Sequence, residues 1–246
     1  MDSVRDLVAE AEARSALAPG ATERFAGYAL MSLPFSSGYV LGLRRFPVTS
    51  IGPGYTSVWL RTPADVWTIY TTVDATVSCP RYFGAALEST SVHRIEVEWT
   101  GERTFTVNID DEVDLRWSVT LAATPMTRIM SRVASSLPAR SWQSERFLSA
   151  LGAVAGPSLR AGRIGMTGKT PNEQLFKASP RRMWIVDTSQ ASVRGEDLGA
   201  IEPLPRQTRL GDFWMPQRGI FMIGGAEFDP LAAGVVPPTT KAASRG

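Results

Sequence analysis

The stretch from residue 95 to residue 121, IEVEWTGERTFTVNIDDEVDLRWSVTL, decides the fold class of this chain. Apolar and polar side chains alternate in three runs, residues 95–99, 104–109 and 113–121, and short polar turns separate the runs. A period of two is typical of β-strands that bury one side and expose the other. The stretch therefore predicts an antiparallel meander of three strands.

Strand-like runs continue on both sides of the meander. They cover residues 39–46, 55–61 and 67–73, of which the last two should form a hairpin, and residues 159–167, 174–178, 182–187, 191–194 and 219–228. About ten strands without βαβ alternation favour a closed or nearly closed antiparallel barrel, or a highly curved sheet. We therefore predict a mainly β protein built on a single curved antiparallel β-barrel, which can enclose a cavity.

The ends of the chain differ from this β pattern. Residues 3–17 have helical spacing of apolar side chains, and we assign residues 1–20 to an N-terminal helix. Residues 21–229 show no break in composition and are expected to form one barrel domain. Residues 230–246 are rich in Ala, Gly, Pro and Thr, which predicts a disordered tail.

A pair of helices is predicted as an insertion at residues 125–156, because apolar side chains there recur at helical spacing. The pair should cover the open end or one face of the sheet. It could instead act as a lid, or present a partner surface in a non-catalytic interaction module. The last alternative predicts a filled barrel with Met126, Met130 and Phe147 exposed as one patch.

Composition argues against several classes of function. The formal net charge is +2 and there is no long run of Lys or Arg, so no nucleic-acid partner is expected. Cys79 and His93 are the only cysteine and histidine, and no nucleotide-binding or serine-hydrolase motif occurs, so we expect no metal and no cofactor. No apolar run of about 18 residues and no signal peptide are found, which predicts a cytoplasmic protein without a membrane span.

The segment WTIYTTVDATVSCPRYFG, residues 67–84, ends in an aromatic and cationic loop stiffened by proline. Arg81 can bind a carboxylate or enolate oxygen, and Tyr82 beside it can stack on an unsaturated ligand or move a proton. The alternative is structural, with Arg81 paired to a nearby acid and Tyr82 capping the core. Cys79 is expected to be a buried structural thiol.

Further candidates lie on the strands and in a second aromatic loop. His93 lies on the same side of its strand as apolar neighbours. It is therefore either a core residue whose hydrogen bonds are satisfied or a general acid or base within the cavity. Tyr70 is a further candidate proton donor. The candidate ligand-binding residues are Trp59, Asp212, Trp214, Gln217 and Arg218. The loop that carries the last four could equally be a structural plug at one end of the barrel.

The order of these parts resembles that of the acetoacetate decarboxylase-like superfamily, in which a hairpin and a short Pro-containing loop precede a β-meander. The resemblance spans residues 28–228 through the single short motif Cys79 to Gly84, and it implies a curved antiparallel barrel. The family carries a tandem lysine in this loop, whereas Arg81 and Tyr82 stand here, so the Schiff-base amine is missing. The architecture and the many tryptophans are also similar to calycin-like proteins, namely lipocalin-like enzymes that cyclise or hydrate terpenoids and polyketides.

We therefore expect a cofactor-free enzyme that acts on a hydrophobic small molecule, polyketide-like or terpenoid-like, within the barrel cavity. The reaction would be of the lyase, isomerase or cyclase type, as in secondary metabolism. The alternative is a non-catalytic carrier of hydrophobic ligands, which needs the cavity but no aligned proton donor. A homodimer is left open.

Overall fold

The computed structural model describes residues 3–17 and 19–231, in which strands predominate over helices. The strands are β1 (Glu23–Pro34), β2 (Val40–Thr49), β3 (Tyr55–Arg61), β4 (Trp67–Thr71), β5 (Ser89–Val92), β6 (Ile95–Trp99), β7 (Thr104–Ile109), β8 (Leu115–Ala122), β9 (Thr167–Lys169), β10 (Leu175–Val193), β11 (Glu196–Asp197), β12 (Arg209–Leu210), β13 (Phe213–Trp214) and β14 (Ile220–Phe228). The α-helices are α1 (Val4–Arg14), α2 (Pro80–Phe83), α3 (Pro125–Ser136) and α4 (Glu145–Ser158).

The main sheet follows the order β5-β4-β3-β2-β1-β14-β10-β8-β7-β6, and β9 and β11 pair with β10 beside this path. All neighbours are antiparallel except β4 and β5, which are parallel. The sheet curls on itself. The ring of Trp99 on the terminal strand β6 contacts Phe221 of β14 at 6.0 Å between centroids, although three strands lie between β6 and β14 along the sheet. The predicted mainly β class and the curved antiparallel sheet are thus confirmed, with the sheet open between β5 and β6.

Two apolar cores form on the two faces of the sheet. The first lies within the curl and joins side chains of β1–β3 to those of β6–β8; Leu30, Leu43 and Val107 are fully buried there. Helix α1 contributes Val4 and Val8 to this core. The second core lies on the opposite face of β1–β4, β10 and β14, beneath α2, α3 and α4.

The meander is confirmed as β6, β7 and β8 with continuous antiparallel register. The predicted hairpin is also confirmed, as β3 and β4. Three runs expected as separate strands after residue 174 are one long strand, β10, whose register shifts at Pro180/Arg182 and at Val186/Thr188. Such bulges bend a strand without ending it, so the breaks in alternation do not mark strand ends.

Two other expectations are wrong. Residues 159–167 were expected to form a strand, but α4 extends to Ser158 and only Thr167–Lys169 pairs with β10. The predicted loop Cys79–Gly84 instead contains α2, because Pro80 at the helix start fixes a helical φ and no donor is lost there. Of the predicted tail, residues 232–246 lie outside the described residues.

The predicted helical insertion is confirmed as α3 and α4. Thr124 caps α3 through a reciprocal pair of hydrogen bonds with Thr127, and Ser131 of α3 accepts a hydrogen bond from the backbone N–H of Met183 in β10 at 2.9 Å. The two helices therefore cover one face of the sheet. Of the patch expected for an interaction module, Met126 is exposed but Met130 and Phe147 are half-buried.

Candidate functional site

A cavity of about 80 Å³ lies in the second core, between the sheet and the segments that cover it. Its wall comes from β1, β2, β3, β10 and β14, from α2 and from the loop around β13. The wall is rich in aromatic rings and glycines, among them Phe46, Tyr55, Trp59, Phe176, Phe213, Phe228, Gly27, Gly224 and Gly225. An apolar cavity with few polar groups is the usual form of a small-molecule site.

Glycines keep this cavity open at its sheet wall. Gly27 of β1 and Gly224 of β14 face each other across the two strands. A Cβ at Gly27 would collide with the carbonyl oxygen of Arg45, and a Cβ at Gly224 with that of Ser179. Because glycine has no Cβ, the neighbouring strands can approach closely here, and neither position places a side chain in the cavity.

Arg44 is the cation of the cavity. Its side chain is buried and lies over the ring of Trp59, with the guanidinium carbon 4.5 Å from the ring centroid. Nη1 donates to the carbonyl oxygens of Leu30 at 2.6 Å and Leu43 at 2.9 Å, and Nη2 donates to that of Met31 at 3.0 Å. Burial lowers the pKa of Arg44 to about 10, so the guanidinium is still charged at neutral pH.

A β-bulge explains why this arginine is held in place. The register of β1 shifts between Leu30 and Leu33, where two residues of β1 oppose the single Gly42 of β2. A bulge leaves backbone groups without ladder partners, and Arg44 supplies donors to the carbonyl groups at this bulge. Within the described residues, Nε donates to no acceptor and Nη2 donates only to Met31, so the edge formed by these two nitrogens is not fully used. That edge is the one that forms two parallel hydrogen bonds with a carboxylate.

A chain of polar atoms runs along the same wall. The hydroxyl of Tyr55 lies 3.2 Å from Sγ of Cys79, Ser57 Oγ donates to that sulfur at 3.5 Å, and Trp59 Nε1 donates to Ser57 Oγ at 3.3 Å. Burial raises the pKa of Tyr55 well above its ordinary value, and the nearby charge of Arg44 acts in the opposite direction. Tyr55 is therefore a protonated hydroxyl at neutral pH. Cys79 is buried, as expected.

Arg81 and Tyr82, expected to bind and protonate a ligand, are both engaged by Glu23. Arg81 Nη2 donates to Glu23 Oε1 at 2.7 Å and the hydroxyl of Tyr82 donates to Oε2 at 2.5 Å; Gln174 Nε2 donates to Oε2 at 3.2 Å. The ring of Tyr82 lines the cavity and stacks on Phe228 at 3.7 Å, whereas Arg81 is not part of the described wall. The guanidinium thus has the acidic partner that the structural alternative required.

His93 and Tyr70 belong to the other face of the sheet. His93 Nδ1 lies 3.1 Å from both carboxylate oxygens of Asp110, and Nε2 lies 2.8 Å from Ser91 Oγ. The rings of Tyr70 and His93 meet edge to face at 5.4 Å, and Tyr70 packs against the first core. Neither residue lines the Arg44 cavity in the described structure, so the geometry does not join them to Arg81 and Tyr82 in one site.

The candidate residues near β13 separate into two groups. Trp214 lines the cavity, as Trp59 does, and the guanidinium carbon of Arg163 lies 4.8 Å from its ring centroid. The other three hold loops together instead of facing the cavity. Gln217 Nε2 donates to the carbonyl of Leu204 at 2.6 Å, Arg218 Nη1 donates to that of Leu159 at 3.3 Å, and Asp212 is an exposed partner of Arg209 at 3.9 Å.

Arg44 and Tyr55 are not among the residues that the sequence predicts for the site. The available signal was strand parity, since Arg44 alternates with Leu41 and Leu43 and so lies on the face opposite to the first core.

Within the described residues, no group of three or more His, Cys, Asp or Glu side chains is placed to hold a metal ion. None of the helices in residues 3–17 and 19–231 is long and apolar enough to cross a membrane.

Comparison with known proteins gives structural neighbours only. No family model matches the sequence, and a search of curated proteins finds no match. The acetoacetate decarboxylase of Legionella pneumophila subsp. pneumophila str. Philadelphia 1 is 10% identical over 94% of this chain and 94% of its own, with a TM-score of 0.40. A second acetoacetate decarboxylase structure is 9% identical over 86% of this chain and 88% of its own, with a TM-score of 0.40. Both neighbours are acetoacetate decarboxylases, the family that the order of parts in the sequence resembles.

Proposed function

We propose that the protein binds an apolar small molecule that carries a carboxylate or enolate oxygen, and that Arg44 holds this oxygen in the cavity. The observation that supports the proposal is the incompletely used Nε–Nη2 edge of a buried guanidinium in an otherwise apolar and aromatic wall. A buried charge without a carboxylate partner is costly. A ligand oxyanion would compensate for this cost through two charge-assisted hydrogen bonds.

The chemistry proposed for this site is a lyase, isomerase or cyclase step that needs neither metal nor nucleotide. Arg44 would stabilise negative charge that develops on the ligand oxygen, which is the largest single contribution in many enzymes. Tyr55, protonated and close to the charge of Arg44, would donate a hydrogen bond or a proton. Of the lysines in the described part of the chain, neither Lys169 nor Lys177 belongs to the cavity wall, which favours non-covalent catalysis over a Schiff base.

A carrier of hydrophobic ligands is the alternative, and the composition of the wall favours it. Apart from Arg44, the titratable groups on the described wall are tyrosines and Cys79, and burial raises the pKa of both Tyr55 and Tyr82. The two tyrosines therefore stay protonated at neutral pH and do not act as bases there. Binding without turnover across a broad panel of ligands would identify a carrier.

Quenching of tryptophan fluorescence tests the proposal, because Trp59 and Trp214 line the cavity. The panel should contain polyketide-like and terpenoid-like carboxylates, and turnover should be assayed on each binder. Two charge-assisted hydrogen bonds are together worth about 3 kcal/mol, so Arg44→Gln should weaken binding about 100-fold. Arg44→Lys, which keeps the charge but not the bidentate edge, should lose about tenfold.

Arg45 provides the matched control on the same strand. Its side chain points to the opposite face and binds Glu12 through two hydrogen bonds of 2.8 Å. Arg45→Gln should leave carboxylate affinity within about twofold of the wild type. Equal affinity in wild type and in folded Arg44→Gln would refute the site. Loss of turnover with retained binding in Tyr55→Phe would support an enzyme.

A further inference from the structure

A second cavity, of about 260 Å³, lies between the sheet and the helices α3 and α4. Its wall is apolar almost throughout, with Met130, Leu151 and Ala155 from the helices. At the rim, Ile129, Val133 and Val154 are exposed large hydrophobic residues. Exposed apolar side chains grouped around a cavity mark a binding surface more often than isolated ones do.

The two cavities share part of their walls. Met31 of β1, Met222 of β14, Ala178 of β10 and Gly165 line both of them. Methionine side chains adapt their shape to what they contact, and Met31 and Met222 are only half-buried at this junction. At Gly165 an added Cβ would meet no atom within 4 Å. The junction between the Arg44 cavity and the cavity beneath α3 and α4 is thus formed by small or adaptable residues.

We propose that the two cavities form one site for a long-chain carboxylate, with the carboxylate at Arg44 and the apolar chain extending past Met31 and Met222 beneath α3 and α4. This inference rests on the proposed function, since it assigns a substrate class to the same site. The cation Arg44 lines the first cavity only, and the wall of the second is apolar, which matches an amphipathic ligand. A protein partner would cover the rim, but it would not explain a cavity that continues inward to a buried cation.

Straight-chain alkanoates of increasing length, with alkanols of the same lengths as uncharged controls, are the probes. Tryptophan fluorescence gives the affinity of each. Each methylene that enters the apolar cavity should raise affinity about fourfold until the chain fills the space. Alkanols should bind at least tenfold more weakly than alkanoates of equal length, because they lack the charge that pairs with Arg44.

Three variants test where the chain lies. Gly165→Leu should narrow the junction, so that affinity stops rising at a shorter chain length. Val154→Glu adds a charge at the rim, where the valine is 64% exposed, and should weaken only the longest alkanoates, about tenfold. Val92→Glu is the matched control, because Val92 is 59% exposed and lies on β5, away from both cavities.

The outcomes separate the two proposals. A shorter plateau in Gly165→Leu, together with a selective loss of long chains in Val154→Glu, supports the joined site. Identical chain-length profiles in wild type and Gly165→Leu would overturn the joined site and leave the proposed function intact. If no alkanoate of any length binds but a polyketide-like or terpenoid-like carboxylate does, the inference fails and the proposed function stands. If no carboxylate of either kind binds, or if alkanols bind as tightly as alkanoates, the proposed function itself fails. A dimer in sedimentation that Val154→Glu abolishes, with unchanged alkanoate affinity, would make the rim a protein interface and refute the inference.

Discussion

Replacing Glu23 with glutamine tests whether the loop of Arg81 and Tyr82 is anchored structurally. Glu23 is 15% exposed and Arg81 19% exposed, and the carboxylate accepts hydrogen bonds from Arg81, Tyr82 and Gln174. Glutamine has nearly the same shape as glutamate, but it offers one acceptor oxygen instead of two. Its amide NH2 group would also face the N–H and O–H groups that donate to Glu23. The variant therefore removes the interactions with little change in packing.

The expected loss of stability is about 3 kcal/mol at neutral pH. Breaking a fully buried pair costs roughly 3–5 kcal/mol, and this pair is slightly exposed, so the lower end applies. For a chain of this size, a loss of about 3 kcal/mol corresponds to a fall in melting temperature of roughly 6–12 °C.

The pH dependence sharpens the prediction. Burial raises the pKa of Glu23, but hydrogen bonds from Arg81, Tyr82 and Gln174 outweigh it, so the pKa lies below the ordinary value of 4.5. A carboxyl whose pKa is lowered by folding stabilises the protein above the unfolded pKa, and this contribution is lost as the pH falls through the folded pKa. The two melting temperatures should therefore differ most at pH 7 and converge below pH 4.5, where protonated Glu23 resembles glutamine.

Calorimetric melting of both proteins from pH 7 to pH 3 measures this convergence. The control is Glu173→Gln, which makes the same change in the pair of Glu173 with Lys169, where the two side chains are 77% and 66% exposed. The control should change stability by less than about 0.5 kcal/mol. A difference between wild type and Glu23→Gln that stays constant down to pH 3, or that is absent at pH 7, would refute the reasoning.

The remaining predictions concern the cavity and the opposite face of the sheet. Gly224→Ala should lower the free energy of unfolding by about 2 kcal/mol in urea titrations, because the new Cβ would collide with the carbonyl of Ser179; an unchanged midpoint would contradict the close approach of β10 and β14. His93→Gln should leave alkanoate affinity within about twofold, since His93 lies outside the cavity, and a loss of binding would restore it as a site residue. Alkylation of Cys79 by iodoacetamide should be slow and become slower with bound alkanoate, because the sulfur is buried on the cavity wall; equal rates would place the ligand elsewhere.

Much of the fold could be predicted because alternation survives wherever one face of a strand is polar. The meander of β6, β7 and β8 shows this alternation clearly. Strand β3 is buried at almost every position, and the hairpin of β3 and β4 was predicted from the turn at residues 62–65. Strand β1 was missed because its residues are buried on both faces and its register shifts twice, so no period of two appears. Its central position in the sheet follows only from its pairing with β2 on one side and with β14, which is distant in sequence, on the other.

The site was harder to predict than the fold. The aromatic residues Trp59 and Trp214 line the cavity because they lie on strands and loops that face the second core, and this could be inferred locally. The partner of Arg81 could not, because Glu23 is 58 positions away in sequence and reaches the loop only through the pairing of β1. The role of Arg44 depends on a bulge in a neighbouring strand, which leaves no mark in the sequence around Arg44 itself.

A comparison of Arg44 with Arg45 and Arg81 shows why Arg44 is the best candidate for ligand binding. Arg45 is paired with Glu12 and Arg81 with Glu23, through contacts of 2.8 Å and 2.7 Å. Arg44 is more deeply buried than either, yet no described carboxylate contacts it, and the lowering of its pKa to about 10 corresponds to roughly 3 kcal/mol against the charged form. Backbone carbonyls at the bulge account for the position of the Arg44 side chain. They do not explain why a charge lies there, since an apolar residue of similar length could fill the same space at a lower electrostatic cost. Retaining a charge there is explained if a ligand anion completes the pair, and a bound anion should then raise the melting temperature of the wild type but not that of Arg44→Gln.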